Sequence, residues 1–184
     1  RGKFEVELGK RKADKDKLII SEIPYTMIGA GINKFLVDVA DLVEKIALSH
    51  PEISIRFIQN NQNKLHTSGN HNLKDIIYTV YGREITANLI PVSVTGEARV
   101  EGFIGKPVIA RSNRNFENYY INGRYIKSNI INKAIEEAYK PFMMQHKYPF
   151  TMLHFKIEPE FLDVNVHPTK MELRFQNGEN VFRM

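Results

Sequence analysis

NYYINGRYIKSNIINKAIEEAY, Asn118 to Tyr139, is the stretch that decides the fold. Asn122-Gly123 is the strongest short hairpin signal a sequence carries, because both central residues of the favoured two-residue turn need positive φ. The run NFENYYING before it therefore reads as a strand and RYIKS as its return. From Asn129 the period changes. Ile130, Ile131, Ala134, Ile135, Ala138 and Tyr139 recur at helical spacing, and Pro141 lies near the end of a helix expected to reach Phe142. FTMLHFKIEP follows as another strand. Strands and helices mixed in this order predict an α+β chain, an α/β two-layer sandwich with one sheet and helices on a face.

Upstream, FEVEL alternates, GKRKADKDK is a solvated charge run, and KLIISEIPY is a strand ended by Pro24. TMIGAGIN reads as a glycine-containing loop. From Asn33, a cap candidate, Phe35, Leu36, Val39, Leu42, Val43, Ile46 and Ala47 keep helical spacing until His50-Pro51. EISIRFIQN is a strand, NQNK a turn and LHTSGN a short second strand. Asn72 caps the helix NLKDIIYTVYG, which Gly82 is expected to end. ITANLIPVSV and ARVEGFIGKP alternate as strands. Downstream, DVNVHPTKMELRF begins and ends as a strand. Pro168, with no N–H, is expected to take the chain out of the sheet in between.

The 184 residues are 42% hydrophobic, a globular composition long enough for a real core. No apolar run is long enough to span a membrane, and no signal peptide opens the chain. The absence of cysteine excludes disulfides, thiolate nucleophiles and cysteine-based zinc sites, and fits a cytoplasmic location. The six histidines show no metal-ligand spacing, so no metal site is expected. The net charge of +5 permits nucleic acid as a partner without establishing it.

Three segments could carry chemistry. Lys170 is a compact point charge suited to a phosphate, presented by a loop that Pro168 stiffens; it reads equally as a surface lysine after a turn. His167 is an acid–base candidate or a residue bonded to the loop backbone. Arg111, Arg114, Arg124 and Lys127 bracket Tyr119, Tyr120 and Tyr125. Such interleaving can bind backbone phosphates and stack bases, or it can be a hairpin with aromatics in the core and charges in solvent; both readings stay open. GAGIN lacks the spacing of a phosphate-binding glycine loop.

These residues resemble a known family. SNR, NGRYIKSNIINKAIEEAY and VNVHPTKMELRF, with ALSHPEIS and TSGNHNLKDIIYTVYG, resemble the second, transducer domain of the MutL family of DNA mismatch-repair proteins, over residues 44–184. Residues 1–43, with EIPYTMIGAGIN where that family carries another loop, resemble the A subunit of DNA gyrase and topoisomerase IV. The chain reads as a chimera joined within VADLVEKIA, with domains 1–43 and 44–184. The resemblance implies a left-handed βαβ fold with a mixed sheet, shared with a ribosomal protein and the gyrase B subunit. It implies that Lys170 reaches the ATP γ-phosphate in an adjacent ATPase domain, with His167 and Pro168 shaping the loop. It implies DNA contacts by Arg114, Arg124 and Lys127, and partners comprising DNA, that ATPase domain, the mismatch-recognition protein MutS and a second copy in the full-length protein. ATP and Mg2+ belong to the parent protein; with the ATPase motifs absent, this chain alone is expected neither to hydrolyse nor tightly to bind ATP. Two other functions compete: a stand-alone nucleic-acid-binding module, and a topoisomerase-derived structural fragment.

Overall fold

The computed structural model describes residues 3–10, 16–22, 30–96, 98–158, 162–163 and 174–175. The chain divides into two compact units, Arg1–Val43 and Glu44–Met184. In the first, β1 (Lys3–Glu7) and β2 (Lys17–Glu22) pair antiparallel, and all their side chains are exposed. Helix α1 runs Ala30–Ser49. It begins before the expected cap, so Asn33 lies inside it and Gly31 to Asn33 are helical rather than part of a loop. One glycine costs a helix only about 1 kcal/mol, which a helix of this length absorbs by propagation.

In the second unit the last residues of α1, Glu44 to Ser49, are followed by the hairpin of β3 (Arg56–Gln59) and β4 (Gln62–His66). Its turn is tighter than expected. Asn60 and Asn61 take φ of 50° and 59°, so Gln62 already belongs to the returning strand. Asparagine tolerates that left-handed region because its short side chain bonds locally. Helix α2 (Leu73–Ala87) starts at Asn72, whose side chain accepts from the Lys74 N–H at 3.1 Å. Gly82 does break it, at φ 81°, but does not end it; helical residues resume through Ala87. Ile85 is buried there, and that burial outweighs the strand pattern read into ITANLI.

The main sheet orders its strands β5-β6-β9-β7-β8: β5 (Leu89–Thr95), β6 (Arg99–Gly105), β7 (Glu117–Ile121), β8 (Arg124–Ile126) and β9 (Thr151–Lys156). Pro91 is tolerated because β5 is an edge. The β7–β8 turn has the expected chemistry, Asn122 at φ 49° and Gly123 at φ 81°. Asn122 also prolongs the neighbouring ladder: its side chain donates to the Ile157 carbonyl at 2.8 Å and accepts from the Ile157 N–H at 3.1 Å. Ser128 caps α3 (Asn129–Tyr139). The helix stops short of Phe142 because Pro141 has no N–H to give the Glu137 carbonyl, which takes the Lys140 N–H instead. The chain then returns as β9, parallel to β7, completing a βαβ unit in a mixed α+β sheet.

Alternation sorts the two faces. Val100, Tyr119, Ile121, Ile126, Leu153 and Phe155 form the core face, on which Ile131 and Ile135 of α3 pack. The expectation of helices on one face describes α3. On the other face Tyr81 of α2 meets Phe116 and Phe150 edge-on, at 5.4 and 5.2 Å, and Lys45 lies 4.7 Å over the Tyr125 ring. Two short strands follow, β10 (Leu162–Asp163) and β11 (Arg174–Phe175), paired antiparallel. Their pairing sets the two ends of the stretch carrying His167, Pro168 and Lys170 side by side; those three residues lie outside the described ones. Among the described residues no helix is long and apolar enough to cross a membrane.

Candidate functional site

Strand β8 is an edge, and of the three basic candidates one lies on it and one just past its end. Arg124 opens it, opposite Ile121, and Lys127 lies one residue past the Tyr119–Ile126 pair. Both are exposed. Strand alternation turns them toward opposite faces of the sheet, so the structure places them on one edge without making them one cluster.

The tyrosines between the basic residues belong to the core. Tyr119 and Tyr120 are 1% and 0% exposed, and burial pushes both phenols far up. Tyr120 stacks on His154 with ring centroids 4.8 Å apart. Of the two readings left open by the sequence, the described rings of β7 follow the core one; they offer no stacking platform to a base.

Arg114 is placed differently. Its Nε and Nη2 both donate to Glu136 Oε1 of α3, at 2.8 and 2.5 Å. Its guanidinium lies 4.6 Å over the Tyr148 ring and 3.7 Å from Glu117 Oε2. The Glu136 carboxylate raises its already high pKa. Arg111 lies 3.7 Å from Glu84 and 5.5 Å over the Phe116 ring.

Glu117 and Glu136 were not singled out from the sequence. The Glu117 side chain is 2% exposed, and neither of its oxygens has a hydrogen-bond partner among the described residues. Burial first, then the charge of Glu136, push its pKa up to about 7, against the pull of Arg114. A glutamate inside FENYYI, a run otherwise fit for a buried strand, was the available signal.

A cleft of about 1060 Å3 opens between the end of α1, the start of α2 and the β7–β8 turn, with His50, Glu52, His71, His154 and Lys156 in its walls. His50 Nδ1 is 2.9 Å from Glu52. Burial holds His154 down at about 4, so it is neutral at physiological pH. Among the described residues no group of three or more His, Cys, Asp or Glu side chains is placed to hold a metal ion.

The mixed sheet, with β7 and β9 parallel across α3, defines an α+β domain of the βαβ class. Residues 77–184 match the family model described as DNA mismatch repair protein, C-terminal domain, and the chain belongs to that family. Among curated relatives it is 66% identical over 145 residues to a DNA mismatch repair protein MutL of Agathobacter rectalis, covering 78% of this chain and 22% of that protein. It is 43% identical over 147 residues to MutL of Clostridium acetobutylicum, covering 79% and 24%. The chain thus spans less than a quarter of the length of these relatives. A solved structure described as the N-terminal domain of a DNA repair protein aligns with a TM-score of 0.69 at 19% identity, covering 92% of this chain and 59% of that one. The Aquifex aeolicus MutL ATPase domain complexed with ADP aligns at 0.51 and 13% identity, covering 79% and 59%; both likenesses concern the fold.

Proposed function

We propose that the chain is the transducer part of a MutL-type mismatch-repair ATPase, which supplies Lys170 to the nucleotide of an adjacent ATPase domain and contacts DNA phosphates through Arg124, Lys127 and Arg114. The family match over residues 77–184 carries this reading, because all four residues fall inside it. A lysine at a transferred phosphoryl group stabilises charge that develops there. In this reading Mg2+ and ATP belong to the neighbouring ATPase domain of the parent protein, and this chain by itself neither hydrolyses nor tightly binds ATP. MutS and a second copy are partners of the full-length protein, in the cytoplasm. The division between Val43 and Glu44 supports treating residues 1–43 as a segment distinct from the transducer domain.

Phosphate contacts make affinity salt-dependent, with each neutralised phosphate adding about 0.9 to the slope of log K against log salt. Arg124→Ala with Lys127→Ala is expected to weaken duplex binding and lower that slope by about two. A parent chain that does not bind duplex even at low salt removes the DNA part of the proposal. Lys170→Ala, mixed with a separate MutL ATPase domain, is expected to lower ATP hydrolysis; unchanged hydrolysis removes the lysine part.

A further inference from the structure

We infer that Glu136 occupies Arg114 as an internal stand-in for phosphate, and so limits the DNA affinity of this surface. The inference rests on the DNA-contact reading above. It comes from the division of labour between two carboxylates around one guanidinium.

Glu117 is the inner partner. It sits on β7 with 2% of its side chain exposed, 3.7 Å from Arg114 Nε. Glu136 is the outer partner, on α3, with 32% of its side chain exposed, and it receives two donors of the guanidinium on one oxygen. Tyr148 lies against the guanidinium at 4.6 Å and holds its plane. Arg114 itself is 50% exposed, so the pair with Glu136 meets solvent. A guanidinium presents the same planar donors to a carboxylate and to a phosphate. A phosphate that reaches Arg114 therefore has to displace Glu136. It need not displace Glu117, which is buried 3.7 Å from the guanidinium and makes no hydrogen bond to it. Glu136 is thus the exchangeable anion, and the strength of its pair with Arg114 is subtracted from any phosphate contact made there.

The test is duplex-DNA affinity at fixed salt for the parent, Glu136→Gln, Arg114→Met and the double variant, with Glu137→Gln as a charge control. Glu137 is the next residue on α3 and pairs with Lys140 at 3.2 Å. Glu136→Gln is expected to bind about three- to fivefold more tightly, the range that a partly exposed ion pair supports. Its salt slope is expected to steepen by about one, as Arg114 gains a phosphate. Arg114→Met is expected to abolish that gain. Removing a negative charge near DNA also raises affinity in a general way, but that gain survives Arg114→Met and appears equally in Glu137→Gln. A gain of that kind, or none, with a parent that binds, overturns the inference and leaves the DNA reading standing. Absence of duplex binding by all five proteins at low salt overturns both.

Discussion

Gly102→Ala is expected to cost more than about 4 kcal/mol and to leave little folded protein, well beyond the 0.5–3 kcal/mol of most substitutions. Gly102 lies in β6, bonded on one side to β5 and on the other to β9, opposite Val92 and Leu153. A Cβ there would stand 2.0 Å from the Met152 carbonyl oxygen, 3.1 Å from its carbon and 3.2 Å from Leu153 Cα. All three are backbone atoms of the central strand, so no side chain can rotate away. The φ of +141° adds strain that any L side chain would feel. Relief requires β6 and β9 to part, which breaks the ladder under the core residues Val100, Leu153 and Phe155. Gly96 is the control, since a Cβ there meets nothing within 4 Å. Gly96→Ala is expected to change stability by no more than about 0.5 kcal/mol. Urea unfolding of the two variants decides the matter, and equal midpoints would show that the sheet can open at Gly102 at no cost.

The contrast between these glycines marks what a sequence can carry. Local chemistry was legible. Asn122-Gly123 announced its turn because two adjacent positive-φ residues are a local requirement, and Asn72 announced its helix because a cap bonds two residues ahead. The Asn60-Asn61 turn was misplaced by the same logic applied too loosely: Asn60 was read as the end of the strand EISIRFIQN and NQNK, Asn61 to Lys64, as the turn, and only backbone geometry shows that the turn begins one residue earlier. Gly82 was legible as a break but not as a kink, since Ile85 is drawn into the core by partners distant in sequence. The strand pattern of β6 gave no hint that Gly102 abuts a carbonyl in a strand fifty positions on. The candidate site divides in the same way. Arg124 and Lys127 are exposed, as charges on an edge strand should be. That Arg114 is held by Glu136, 22 residues away on a helix, depends on the βαβ crossover and left no trace in spacing. His167, Pro168 and Lys170 were named by resemblance and lie outside the described residues.

Glu117→Gln is expected to change how stability responds to pH, and the sign follows from the two buried groups that titrate against each other. Glu117 has its pKa raised from 4.5 to about 7 by burial and by Glu136. Between those values the folded chain keeps a proton that the unfolded chain has lost. Its contribution is therefore fully present below pH 4.5 and is lost as pH rises through 7, about 3 kcal/mol at 1.36 kcal/mol per unit. His154 has its pKa lowered from 6.5 to about 4, chiefly by burial. There the unfolded chain binds the extra proton, so stability falls as pH drops from 6.5 toward 4, by a similar amount. In the parent the two slopes oppose each other across most of the same window and largely cancel. Glutamine keeps the shape of Glu117 and removes its ionisation. The variant is then left with the histidine slope, and its stability is expected to rise by about 3 kcal/mol between pH 4.5 and 7. At pH 8 it should exceed the parent by up to the same amount, because the parent holds a buried carboxylate facing Glu136 with one guanidinium between them. At pH 4.5 the two should nearly coincide. Urea unfolding at four pH values across this range measures the difference directly. A gap between parent and variant that stays constant from pH 4.5 to 8 would mean that Glu117 is ionised throughout, and that Arg114 serves it more fully than its 3.7 Å separation indicates.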